Sequence, residues 1–292
     1  MRNGKVALIT GSSSGIGRGC AFALARDGYD IAVHYNNSEE KALQVVEDIK
    51  ALGVNVCLLH GDTGDPDVPE RLVRETAEKL GRLDVLVSNA GFTRFERLMD
   101  ITVEVMDAIY RVNYRGMILM AREAARYMVR EKIKGVILFN TSIRSFSPHP
   151  SDGVYGSLKA GMNRIIESFA LDMGDYGIRV NGFSPGVTNV RSAKPEDEAQ
   201  NPFYRESPRF IPLWRNGYAE DMGDVVAFLA SDKASYITGQ VIKVDGGLSA
   251  VGGAEFLDHV KEYYRIDDFL KEEYQGELEY WPRRAPAPVK DE

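Results

Sequence analysis

The sequence predicts an α/β domain, a parallel sheet with helices packed on both faces. Short β-branched apolar runs alternate with longer amphipathic stretches, the pattern of strands joined by crossover helices. Each run is four to eight residues long and nearly all apolar, as strands covered on both faces must be. The composition is that of a globular chain: 292 residues, 44% hydrophobic and 27% charged. It excludes collagen-like, low-complexity and wholly disordered chains.

The strand runs are 5–10, 31–35, 54–60, 83–88, 135–141, 178–183 and 240–244. Between them, residues 38–52 place Ala42, Val45, Val46 and Ile49 on one helical face, and residues 67–80 do the same with Leu72, Val73 and Ala77. No Pro- or Gly-rich linker splits the first 250 residues, so 1–251 reads as one domain. Residues 252–292 form an extension with acidic residues outnumbering basic ones eleven to six. Phe256, Leu257, Val260, Tyr263, Tyr264, Leu270 and Tyr274 recur there at helical spacing before a Pro-rich end. Such an aromatic stripe either patches its own subunit or crosses to a neighbour, bringing Tyr280 or Trp281 to the neighbour's site.

A net charge of −7 argues against a nucleic-acid partner, because phosphate binding needs clustered Lys and Arg. No apolar run approaches the roughly 20 residues of a membrane helix, and the first one is too short for a signal-peptide core. Cys20 and Cys57 are too few for a disulfide framework and read as buried free thiols. A cytoplasmic location is expected. No His, Cys and acidic residues fall at metal-ligand spacing, so no metal is expected; His149, between two prolines, reads as a loop residue.

Gly11, Ser13, Ser14, Gly15, Ile16 and Gly17 follow the first strand and open a helix. A glycine-rich turn there lets the backbone approach a pyrophosphate, and the helix N-terminus adds N–H donors and partial positive charge. Gly11 makes the turn, Gly15 allows the approach and Gly17 lets helix pack on strand. The glycines alone would fit any tight turn; the strand before and helix after are what suggest a dinucleotide.

Tyr155 and Lys159 stand at i and i+4 on one helix face. A free phenol titrates near about 10, and a close cation lowers that by stabilising the phenolate. The pair then suits proton exchange with a carbonyl or alcohol. Ser142 ends the fifth strand run, where parallel-sheet folds place their chemistry, and its hydroxyl would hold a carbonyl oxygen. Without that serine, the Tyr–Lys pair would read as a solvated helix face.

Together these residues resemble the short-chain dehydrogenase/reductase family. The resemblance covers roughly residues 5–250 and includes the Gly11, Gly15, Gly17 turn, Asp62, Asn89-Ala90-Gly91, Asn113, Ser142, Tyr155, Lys159 and Pro185-Gly186 in order. It implies a single Rossmann-type, doubly wound seven-stranded parallel sheet, a homotetramer, and NADP(H) or NAD(H) as cofactor. It also implies Tyr155 as general acid/base, Lys159 as ribose clamp and pKa modifier, Ser142 orienting substrate, and Asn113 holding a relay water. Asp62 and Thr63 would meet the adenine, Asn89, Ala90 and Gly91 would line the cleft, and Pro185, Gly186, Val187 and Thr188 would touch the nicotinamide. Ser88 replaces the usual asparagine before Asn89, and the extension is longer than usual.

NAD-dependent members carry an acid at the end of the second strand, where a carboxylate repels a 2′-phosphate. Tyr35, followed by Asn36, Asn37 and Ser38, stands there instead, so NADP(H) is expected and NAD(H) stays open. Arg94 and Arg144 flank the expected cleft mouth, and an aromatic loop with Arg191, Lys194, Phe203, Tyr204, Arg205, Arg209, Phe210 and Trp214 follows. Taken singly, each arginine reads equally well as a surface ion pair. As a pair they suggest a polyhydroxylated or anionic carbonyl substrate, so a dehydrogenase of sugars, polyols or other polar ketones is expected. The alternatives are a 3-oxoacyl-carrier-protein reductase, docking its acidic carrier through Arg126, Arg130 and Lys132, or a non-catalytic dinucleotide-binding regulator. Asp172 and Asp175 weigh against carrier docking.

Overall fold

Every apolar run marked as a strand forms one in the computed structural model, which describes residues 2–190 and 200–250. They are β1 (Val6–Ile9), β2 (Asp30–Tyr35), β3 (Val56–His60), β4 (Val85–Ser88), β5 (Val136–Asn140), β6 (Arg179–Pro185) and, last in the chain, β9 (Val241–Val244). All pair in parallel, in the order β3-β2-β1-β4-β5-β6-β9. The connecting helices are α1 (Gly15–Arg26), α2 (Glu39–Lys50), α3 (Val68–Leu80), α4 (Val103–Tyr110), α5 (Met117–Arg130), α6 (Gly153–Met173), α7 (Pro202–Glu206) and α8 (Ala219–Ala230).

The sheet divides the core into two apolar layers. Ala7, Ile9, Val33 and Val87 pack on one face with α1, α2 and α8, whereas Leu8, Ala32, Leu86 and Phe139 pack on the other with α3, α5 and α6. Strand alternation sends successive side chains to opposite layers, which is why β1 is buried along its whole length. Burial on both faces fails at the sheet edges. In β3 and β9 most side chains are only partly covered, and Ile242 and Lys243 are exposed, because an edge strand has a neighbour on one side only.

Two features were not anticipated. A small second sheet pairs β7 (Thr188–Asn189) with β8 (Gly217–Tyr218), tying the chain after β6 to the start of α8. A π-helical turn, Arg111–Gly116, joins α4 to α5; such turns often mark functional positions. The stripe from Phe256 to Tyr274, Tyr280 and Trp281, and Arg191 and Lys194 of the substrate loop, lie outside the described residues. The strand order reverses between β1 and β4, and in open α/β sheets ligands bind beyond the carboxyl ends of the strands at such a point.

Candidate active site

At that reversal lies a cleft of about 610 Å³. Gly11, Ser13, Ser14, Gly15, Ile16 and Gly17 line it, as do Asn36, Asn37, Ser38, Asp62, Thr63, Asn89, Ala90 and Gly91. Gly11 has φ 67°, a conformation that a side chain would strain. A Cβ at Gly17 would strike the Gly11 carbonyl and the Asn89 side chain, so glycine is what lets α1 begin against the loop. The first turn of α1 carries no acid to repel an anion. A backbone-lined cradle at an uncapped helix N-terminus fits a dinucleotide's pyrophosphate.

His34 braces this loop and was not anticipated. The Gly11 N–H donates to its Nδ1 at 3.0 Å, and its Nε2 faces the Gly61 carbonyl at 2.9 Å. The ring is therefore neutral with the proton on Nε2. Ser12 completes the clamp by accepting from the His34 N–H and donating to the Ile9 carbonyl. Burial lowers the His34 pKa from 6.5 to about 4. The unfolded imidazole thus takes up a proton below about 6.5 while the folded one does not, and stability falls as pH drops from there to about 4. His34→Asn keeps an acceptor without titrating. Between pH 7 and 4.5 the wild type should lose about 2 kcal/mol more unfolding free energy than the variant, measured by urea titration.

Tyr35 departs from its expected place. Its side chain packs in the apolar layer with Val33 and meets the His60 ring at a tilt, ring centroids 4.9 Å apart. The reason is strand alternation: His34 and Asn36 face the cleft, so Tyr35 between them faces the core.

A second cleft, about 760 Å³, shares Ile16, Asn89, Gly91, Phe92, Asn140 and Val190 with the first, so the two are continuous. Asn113, Ser142, Tyr155, Lys159, Pro185, Gly186, Val187 and Thr188 all line it. Ser142 caps the turn after β5, and its Oγ accepts from the Arg144 N–H at 3.2 Å. Tyr155 and Lys159 come from the first turns of α6, with the Lys159 Nζ 5.7 Å from the Tyr155 ring centroid.

The electrostatics differ from the expectation of a cation-lowered phenol. Burial raises the Tyr155 pKa, and a hydrogen bond to Ser142 works against it. The Lys159 ammonium is turned onto the Asn140 carbonyl at 2.7 Å, and its own burial lowers it to about 7. The phenol therefore stays protonated at neutral pH, in the form that donates.

Asn113 sits buried in the π turn. Its amide donates to the Phe92 carbonyl at 2.7 Å, and its Oδ1 accepts from the Phe92 N–H at 3.2 Å. The side chain thus pins the loop after Asn89-Ala90-Gly91, with both its amide and its Oδ1 engaged within the chain. Two further residues tie the strand ends together. The Thr10 hydroxyl accepts from the Asn89 and Ala90 N–H groups, both at 2.9 Å, and Asn140 donates to the Asn89 side chain at 2.8 Å. Both stand at strand ends, the one signal that pointed to them.

Of the two arginines, Arg144 lines the second cleft and Arg94 does not. Arg94 is exposed, while Thr93 and Phe95 on either side of it form the wall. Phe203 and Tyr204 of the aromatic loop also reach that wall. Among the described residues, no group of three or more His, Cys, Asp and Glu side chains converges as a metal site would.

The model of the family described as "Enoyl-(Acyl carrier protein) reductase" matches residues 11–249. The chain belongs to the short-chain dehydrogenase/reductase family. An L-rhamnose 1-dehydrogenase (NAD(P)(+)) from a Sphingomonas species is 36% identical over 84% of this chain and 96% of its own length. A 3-oxoacyl-(acyl-carrier-protein) reductase from Staphylococcus aureus is 39% identical over 85% of this chain and 99% of its own. The solved acetoin dehydrogenase of Salmonella typhimurium superposes with a TM-score of 0.79 at 32% identity, covering 86% of this chain and 98% of that one. A short-chain dehydrogenase from Burkholderia cenocepacia in complex with NADP gives 0.78 at 33% identity, over 85% of this chain and 98% of that one. This short-chain dehydrogenase/reductase is an NAD(P)-dependent oxidoreductase acting on CH–OH groups.

Proposed function

We propose that the enzyme interconverts a small polar ketone, of the sugar, polyol or related class, with its alcohol, and that Tyr155 moves the proton. The observation carrying this is the meeting of Ser142, from the end of β5, with Tyr155 and Lys159, from α6, in a cleft continuous with the phosphate-loop cleft. Pro185 to Thr188 would hold a nicotinamide, which would supply or accept the hydride. During reduction the Ser142 hydroxyl holds the carbonyl oxygen and the Tyr155 hydroxyl donates its proton to that oxygen. Lys159 clamps the ribose and stabilises the phenolate that results. A water on the Asn113 carbonyl then returns a proton toward the tyrosine. Cofactor oxidation with a panel of sugars, polyols and ketones tests the reading, and no turnover of any carbonyl would overturn it.

NADP(H) is the proposed cofactor, since no acid from β2 enters the cleft and Asn36, Asn37 and Ser38 supply donors near a 2′-phosphate. KM for NADP(H) should lie below that for NAD(H). Asn36→Asp, at the cleft-facing position, should reverse the order by setting a carboxylate against the phosphate. Equal KM values in the wild type would count against the assignment.

A carrier-protein substrate is less well supported. Arg126 and Arg130 are paired with Glu123 and Glu131, which reduces the charge offered to an acidic carrier. A cytoplasmic homotetramer completes the proposal. Leu98, Met99, Val103 and Leu171 are all largely exposed, as apolar surface awaiting an identical subunit would be, and light scattering reads the mass.

A further inference from the structure

Away from the reacting groups the wall of the second cleft is largely apolar, built from Phe92, Phe95, Ile143, Val187, Val190 and Phe203, with Thr93, His149, Asn201 and Tyr204 as further polar side chains. No Asp or Glu lines it among the described residues, and its lysine and arginine are Lys159 and Arg144. Lys159 is engaged with Asn140. Arg144 is different. Its side chain is only 21% exposed, yet among the described residues its guanidinium donates no hydrogen bond. Asp152 lies near, Oδ2 at 3.4 Å from the Arg144 Nε, but that oxygen is buried and has no hydrogen-bond partner. The carboxylate thus pairs with the Nε edge and leaves the two terminal nitrogens without a hydrogen bond among the described residues.

A guanidinium offers five N–H donors in a plane that matches a carboxylate bidentately. A half-buried arginine holding that fork open on an apolar wall is a recognition element awaiting an anion. Its location ties it to the chemistry. Arg144 lies two residues after Ser142, its own N–H holds the Ser142 Oγ, and its charge acts on the Tyr155 phenol.

We propose that Arg144 recognises a carboxylate on the substrate, which makes the natural carbonyl compound an oxo acid with an apolar body. The proposal rests on reading this cleft as the carbonyl-reducing site, and takes the anionic rather than the polyhydroxylated kind of polar carbonyl. The carboxylate lies on the fork while Ser142 and Tyr155 take the ketone oxygen, fixing which face of the carbonyl meets the hydride.

Benzoylformate and its methyl ester test this, one carrying the anion and one not. Binding is read by calorimetry on the full-length enzyme saturated with NADP⁺, so no turnover is needed. Wild type should bind the acid at least tenfold more tightly than the ester. Arg144→Met should erase the preference, and Arg144→Lys, keeping the charge without the fork, should restore part of it. An unchanged cofactor Kd reports that the variants are folded. Equal binding of acid and ester by the wild type, or binding of neither, overturns the proposal without recourse to a variant, as does a preference that survives Arg144→Met. Turnover with NADPH is followed separately. An Arg144-dependent acid preference with no turnover of either compound supports the carboxylate site, and with no other carbonyl of the panel turned over it overturns the reductase reading instead.

Discussion

Tyr155→Phe lowers kcat by about 10²–10⁴-fold, the usual contribution of a positioned general acid, and leaves cofactor affinity essentially unchanged. The substitution removes one oxygen. The ring stays in the first turns of α6, and the loop that would hold the pyrophosphate is built from other residues, around Gly11 and His34. What is lost is the proton donor and the influence of Ser142 upon it. Steady-state kinetics with a carbonyl substrate, beside a cofactor titration, separates the two effects. Retention of more than a tenth of wild-type kcat would remove Tyr155 from the mechanism.

Lys159→Met abolishes useful turnover and at the same time raises thermal stability. The ammonium is buried and holds a single carbonyl oxygen, that of Asn140. Burying a charge with so little compensation is costly, and the fall of its pKa from 10.5 to about 7 expresses that cost. Between those values the unfolded chain binds the extra proton and the folded one does not, so this residue makes stability rise with pH from about 7 to about 10. Methionine fills the space without a charge. We expect a Tm higher by about 4 °C or more at pH 7, a flatter stability profile between pH 7 and 10, and kcat/KM reduced by about 10²-fold or more. A Tm that falls would show that the lysine stabilises the fold in which it is buried.

Local patterns made most of the fold legible. The strand runs are short and apolar, and the glycines at 11, 15 and 17 sit within one turn, so their meaning needs no distant partner. Ser142, Tyr155 and Lys159 were legible because one lies at a strand end and two share a helix face. His34 was not, because its role depends on Gly11, 23 positions away. Tyr35 departs from expectation although the signal is present: Ile31, Val33 and Tyr35 share one side of β2 and the apolar layer, while His34 and Asn36 on the other side line the cleft. Loops have no such period, so nothing separated Arg144 on the wall from Arg94 in solvent. The pKa of Lys159 depends on depth of burial, which no spacing encodes.

The pH dependence of carbonyl reduction tests the central claim most directly, that the neutral Tyr155 phenol is the proton donor. Burial holds that phenol above its ordinary value, so kcat for reduction should fall on the alkaline side as the phenol proton is lost, a step separate from the titration of Lys159 at about 7. Alcohol oxidation, which needs the phenolate, should rise over the same range. A reduction rate that climbs with pH, or an alkaline fall that persists unchanged in the residual activity of Tyr155→Phe, would contradict the assignment.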